Sequence, residues 1–151
     1  MHSLVRRYIK TAIVFLGVGL LIGLKMIVER DVLGRTSDVY ETSAHTHALL
    51  VGFVMMMILG VALWLFPRGG SEGHRYDPQL ASVAYWLLTA GTAIRIAGEL
   101  TESARNVAWI GWIVVASSAA QVAGIALFFF TMWPRIRSAG SHVREAKGER
   151  F

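Results

Sequence analysis

Four apolar runs, separated by short polar connections, dominate the pattern of this chain. They cover residues 9–28, 44–66, 80–100 and 107–133. About 20 consecutive apolar residues suffice to cross a hydrocarbon core of about 30 Å, so each run predicts a transmembrane helix. Lys10 and Lys25 lie near the ends of the first run, where an ammonium group can snorkel to the headgroups. The run lacks a small-residue cleavage site and three comparable runs follow, which predicts a first span rather than a removed signal. Residues 29–43 form a polar connection ending in Thr42-Ser43, good capping chemistry for the second helix. That helix is expected to stop at Pro67-Arg68-Gly69-Gly70, and a loop through Pro78 leads to the third. A polar turn at residues 101–106 precedes the fourth, which Trp109 and Trp112 bracket at one end and Trp133 at the other, as interfacial aromatic belts do. The pattern predicts an all-α integral membrane protein of four helices, with a spanning domain at 1–134 and a polar cytoplasmic tail at 135–151.

A composition of 54% hydrophobic and 17% charged residues agrees with a chain that lives in lipid. Cysteine is absent, which excludes disulfides, thiolate ligands, iron–sulfur clusters and covalent c-type heme attachment. A bound metal must then be held by His, Met, carboxylate or backbone. The formal charge of +5 comes from basic residues at span ends, so it speaks for topology rather than for nucleic acid. Arg6, Arg7, Lys10, Arg68, Arg75, Arg135 and the basic tail flank one side. Lys25, Arg30, Arg35, Arg95 and Arg105 lie toward the other. The excess predicts a multi-pass cell-membrane protein with both termini cytoplasmic. The second span then enters from outside, which places His45 and His47 about one turn inside the outer boundary.

Two imidazoles in an apolar helix need partners, because an unpaired polar group is costly there. At about 100° per residue, side chains two apart point about 200° apart, so one metal ion cannot easily take both from one helix. The pair therefore serves two flanks, or both rings bond water and lipid in the headgroup region. Arg95 should face protein, water or an anion; Glu99, one turn on, is one partner within reach. Met55, Met56 and Met57 face three directions and read as adaptable packing rather than soft metal ligands. Gly19 and Gly23 form a small-xxx-small packing face, and Ser117, Ser118 and Gln121 read as interhelical hydrogen bonders.

The stretch Ala44-His45-Thr46-His47-Ala48-Leu49-Leu50-Val51-Gly52-Phe53, continuing to Gly60 and on to Pro67-Arg68, resembles the second transmembrane helix of the heme-copper oxidase and nitric oxide reductase catalytic subunit. In that family a His-Thr motif opens the helix and its histidine is an axial ligand of the low-spin heme. The resemblance implies that role for His45. The His-x-His pattern also resembles the family's tenth helix, whose histidines reach hemes on opposite sides, and this implies His47 as a second ligand. Arginines of the helix after that one bind heme propionates in the family, which implies the same for Arg95. The family's catalytic subunit has about twelve helices and holds copper with three further histidines, whereas His2, His74 and His142 here all fall outside the expected spans. Twelve helices form three four-helix arcs, and this chain resembles one arc. Three copies would rebuild the ring, with each heme taking His45 from one protomer and His47 from the next. The implied protein is a homotrimeric, lipid-embedded b-type heme protein for electron transfer, related to oxygen or nitric oxide chemistry. If enzymatic, it is an oxidoreductase. No motif identifies its electron donor or acceptor. The other reading open at this point is a heme-free accessory or assembly protein of a respiratory oxidase, with interfacial histidines.

Overall fold

The computed structural model describes residues 3–66, 77–105, 107, 109–136 and 148. Four helices long and apolar enough to cross a membrane carry the described residues, and no strand occurs among them: Ser3–Asp31, Val39–Leu65, Pro78–Ala104 and Ile110–Met132. We label them α1 (Ser3–Asp31), then α2 (Val39–His47), a π-helical segment (Ala48–Met55) and α3 (Met56–Leu65), which together make the second span. They are followed by α4 (Pro78–Ala104) and α5 (Ile110–Met132). The expected stop at Pro67–Gly70, the loop to Pro78, and the tail apart from residues 135, 136 and 148 lie outside the described residues.

The helices α1 and α4 reach past their apolar runs at both ends and the second span at its start, whereas α5 stays within its run; local caps set the starts of the second span and of α4. The second span starts at Val39 rather than at residue 44, since Asp38 is its N-cap and accepts from the Val39 amide at 2.7 Å. Thr42 and Ser43, expected to cap, are inside the helix; Thr42 Oγ1 donates back to the Asp38 carbonyl. At α4, Asp77 caps from the position before Pro78, and proline occupies the first helical turn where its missing N–H costs nothing.

Buried positions on α1 fall at Val5, Tyr8, Ala12, Phe15, Gly19 and Ile22. They alternate three and four apart, the seam of a left-handed helix pair. Gly19 meets Leu49, Gly52 meets Phe15 and Gly60 meets Tyr8: contacts that rise on one helix as they fall on the other, so α1 and the second span are antiparallel. The same holds for α4 and α5, where Gly124 lies against Leu88 and Ala84, and Gly91 against Ser117 and Gln121. Small residues let these backbones approach closely, which is how helices associate where lipid removes the hydrophobic drive between them. Tyr8, fully buried, joins the elements at this end, with ring centroids 5.0 Å from Tyr85 and 5.8 Å from Phe128. Thr11 Oγ1 and the Tyr85 hydroxyl bond at 2.8 Å. Met56 is buried in this core, in keeping with packing.

Trp109 and Trp112 are exposed at one membrane face, Trp64 and Trp133 at the other, the belt pattern expected at headgroup depth. Arg135 sits in the short 3₁₀ turn Trp133–Arg135 and is buried; its guanidinium donates to the carbonyls of Leu63 and Phe66 and closes the C-terminus of α3.

Candidate functional site

At the opposite end from Tyr8, the first turns of the second span pass between α1 and α4, and here His45 and His47 part. His45 leans on α1. Its Nδ1 donates to the Gly19 carbonyl at 2.9 Å, and its ring lies over Gly23, where an added Cβ would come within 2.7 Å of Cε1. His47 turns toward α4. Its Nδ1 donates to the carbonyl of Ser43, one turn back, at 2.9 Å, with Ser43 Oγ at 3.3 Å. A carbonyl only accepts, so Nδ1 carries the proton in both rings, and in the neutral imidazole the lone pair is then on Nε2. Among the described residues neither Nε2 makes a hydrogen bond. The opposed geometry expected from the two-residue spacing is therefore present, one imidazole per flank.

Beside His47 a polar network crosses three spans. Glu99 of α4 is almost wholly buried; its Oε1 accepts from Ser43 Oγ at 2.7 Å and from Arg95 Nε at 3.0 Å. Its Oε2 has no hydrogen-bond partner among the described residues and stands 3.9 Å from His47 Nδ1, beyond bonding distance. Arg95 Nη1 donates to Ser118 Oγ at 2.8 Å and reaches Gln121 Oε1 at 3.5 Å. Gln121 in turn donates to Thr92 Oγ1 at 3.0 Å. Within lipid a lone charge is expensive, and the network answers that cost by placing carboxylate and guanidinium together, with Ser43, Ser118 and Gln121 as further partners. Of the expected interhelical bonders, Ser118 and Gln121 act so, whereas Ser117 bonds its own helix at Val114. On the His45 flank, Lys25 pairs with Glu29 at 2.9 Å and with the buried Glu41 of α2, tying the C-terminal part of α1 to the start of α2.

A family model described as Cytochrome C and Quinol oxidase polypeptide I matches residues 3–144, all four helices included. The chain belongs to this family. No curated protein and no solved structure matches it. Resemblance in the second span alone thus extends to the whole bundle, and the protein is a heme-copper oxidase-related, multi-pass membrane protein.

Members of the cytochrome c and quinol oxidase polypeptide I family bind heme, and the residues here fit such a group. A ligating histidine needs its second ring N–H tied to a carbonyl or carboxylate, and both His45 and His47 have that bond to a backbone carbonyl. Gly23 leaves the room that the His45 ring itself occupies, which any side chain there would take. Among the described residues no group of three or more His, Asp or Glu side chains is placed to hold a bare metal ion. Sequence reasoning missed four participants: Gly19 and Gly23, read only as packing, Ser43, read as a cap, and Glu99, read only as a partner for Arg95. The available signal was Glu99 itself, an acid one turn from an arginine in an apolar run, together with the small-xxx-small pair at the level of the histidines.

Proposed function

We propose that this chain is a membrane heme protein that binds noncovalent b-type heme for electron transfer, with His45 and His47 as axial ligands on opposite flanks of the second span. The observation that carries the reading is the shared state of the two imidazoles: each donates from Nδ1 to a backbone carbonyl and keeps Nε2 as a lone pair. Bound heme would supply a one-electron couple at that level of the bilayer, and imidazole on both axial positions favours electron transfer over gas binding.

The chain's own residues do the holding. Gly19 fixes the His45 ring and Ser43 that of His47, while Glu99 presents a buried carboxylate toward the His47 flank. Arg95 neutralises Glu99 and is the cation available to a propionate on that side. One chain offers imidazoles about 200° apart around one helix and cannot clamp a single iron with both. In a ring of three copies each heme would take His45 from one protomer and His47 from the next, with heme offset and helix tilt absorbing the difference between the roughly 200° spread and the direction of the neighbours.

Purified protein should carry heme with the spectrum of a reduced six-coordinate b-type cytochrome after dithionite, typed as heme b by pyridine hemochrome. Colourless protein from heme-replete cells would sink this reading and leave a heme-free accessory role.

A further inference from the structure

Between α1 and the start of the second span lies an open cleft of about 510 Å³, within the range of sites that take cofactor-sized molecules. Leu20, Leu24 and Ile27 of α1 and Leu49 of the π segment form its apolar walls, and His45 lies in it. Apart from His45, its polar lining is Arg30, in the last turn of α1, and Ser37, in the connection to α2. Gly23 marks the level of the His45 ring, and Arg30 is seven residues farther along, about 10 Å by helix rise. That is the separation between the centre of a large flat macrocycle and carboxylates on short arms at its edge.

Resting on the heme reading above, we propose that this cleft seats the porphyrin taken by His45, and that Arg30, with Ser37 beside it, receives the propionate edge. The apolar walls match a macrocycle without charge, and a cation at one end only matches a ligand whose two carboxylates leave from one edge. Arg30 is free to do this. Its Nε and Nη2 hold the neighbouring Asp31 at 2.7 and 3.1 Å, both side chains are more than half exposed, and such pairs are weak enough to open to a second carboxylate. Nη1 makes no hydrogen bond among the described residues. Arg95, beside Glu99 on the other flank of the second span, does not line this cleft. In the ring, Arg30 and His45 of one protomer would thus hold the same heme.

The test titrates heme-free full-length protein in detergent with hemin and with hemin dimethyl ester, which keeps the macrocycle but lacks the carboxylates. Wild type should prefer hemin. Arg30→Ala should weaken hemin binding about tenfold or more, leave the ester's affinity as in wild type, and so abolish the preference; Arg30→Lys should restore part of it. Exposed Arg30 carries no core contact, and unchanged ester binding confirms that the variant is folded. If Arg30→Ala keeps the full preference for hemin, the propionate assignment is overturned while the heme reading stands. If wild type binds neither compound, both fail together.

Discussion

Gly23 lies against His45 so closely that a Cβ there would stand 2.7 Å from the ring's Cε1, while the ring's Nδ1 donates to Gly19, one turn earlier on α1, at 2.9 Å. One turn of α1 both makes room for the imidazole and sets its tautomer. Gly23→Leu should therefore push the ring off its seat and break that bond, although helix propensity alone favours the change. Heme per protein, measured by pyridine hemochrome, is expected to fall. Gly17→Leu is the matched control, because a Cβ at Gly17 meets nothing within 4 Å. Equal heme in the two variants would mean that the seat is dispensable.

Arg95 and Glu99 form an ion pair inside the bundle, with side-chain exposures of 21% and 3%. Removing one partner strands the other, so Arg95→Met and Glu99→Gln should each destabilise the fold, Arg95→Met by about 3 kcal/mol and Glu99→Gln by less. The double variant should recover much of the loss, since nothing charged is then left behind. Unfolding in detergent, read as a double-mutant cycle, checks this; strictly additive losses would show that the two do not act as a pair.

The shared-heme ring makes a complementation prediction. His45→Ala and His47→Ala should each abolish bis-imidazole ligation when expressed alone. Coexpressed, mixed rings contain interfaces that pair an intact His45 with an intact His47, and part of the six-coordinate spectrum should return. A full low-spin signal from either variant alone would place the ligands elsewhere.

Topology follows from Lys and Arg placement: both termini should be cytoplasmic. A C-terminal reporter that works only in the cytoplasm should be active, and one that works only outside should be silent. The reverse pattern would invert the bundle and put the histidines at the inner face.

Spans were legible in the sequence because hydropathy alone decides which stretches cross lipid, and belts of tryptophan mark their ends. Helix boundaries were less so, since Asp38 caps the second span through one hydrogen bond and is no stronger a local signal than Thr42-Ser43, and Asp77 caps α4 through the amides of Gln79 and Leu80. The opposed directions of His45 and His47 were readable from spacing. What each ring touches was not: Gly19 and Glu99 are 26 and 52 positions away from His45 and His47 respectively, and only helix packing brings them together. The π segment at Ala48–Met55 carries no signal either, because Ala-Leu-Leu-Val-Gly-Phe-Val-Met is apolar on every side and looks alike in any winding.

That winding has a consequence for how the bundle can change. A π segment closes its hydrogen bonds five residues apart and turns less per residue than an α-helix, so the histidine end and the Met56 end of one span run in different angular phase. Loss of a single residue between Ala48 and Met55 would turn the ligands against the core by one residue's winding, less than the roughly 100° of an α-helix, leaving the contacts of Met56, Leu59 and Leu63 as they are. Aim and anchorage are therefore separable in this helix, and a one-residue length change is enough to point the imidazoles at a different neighbour.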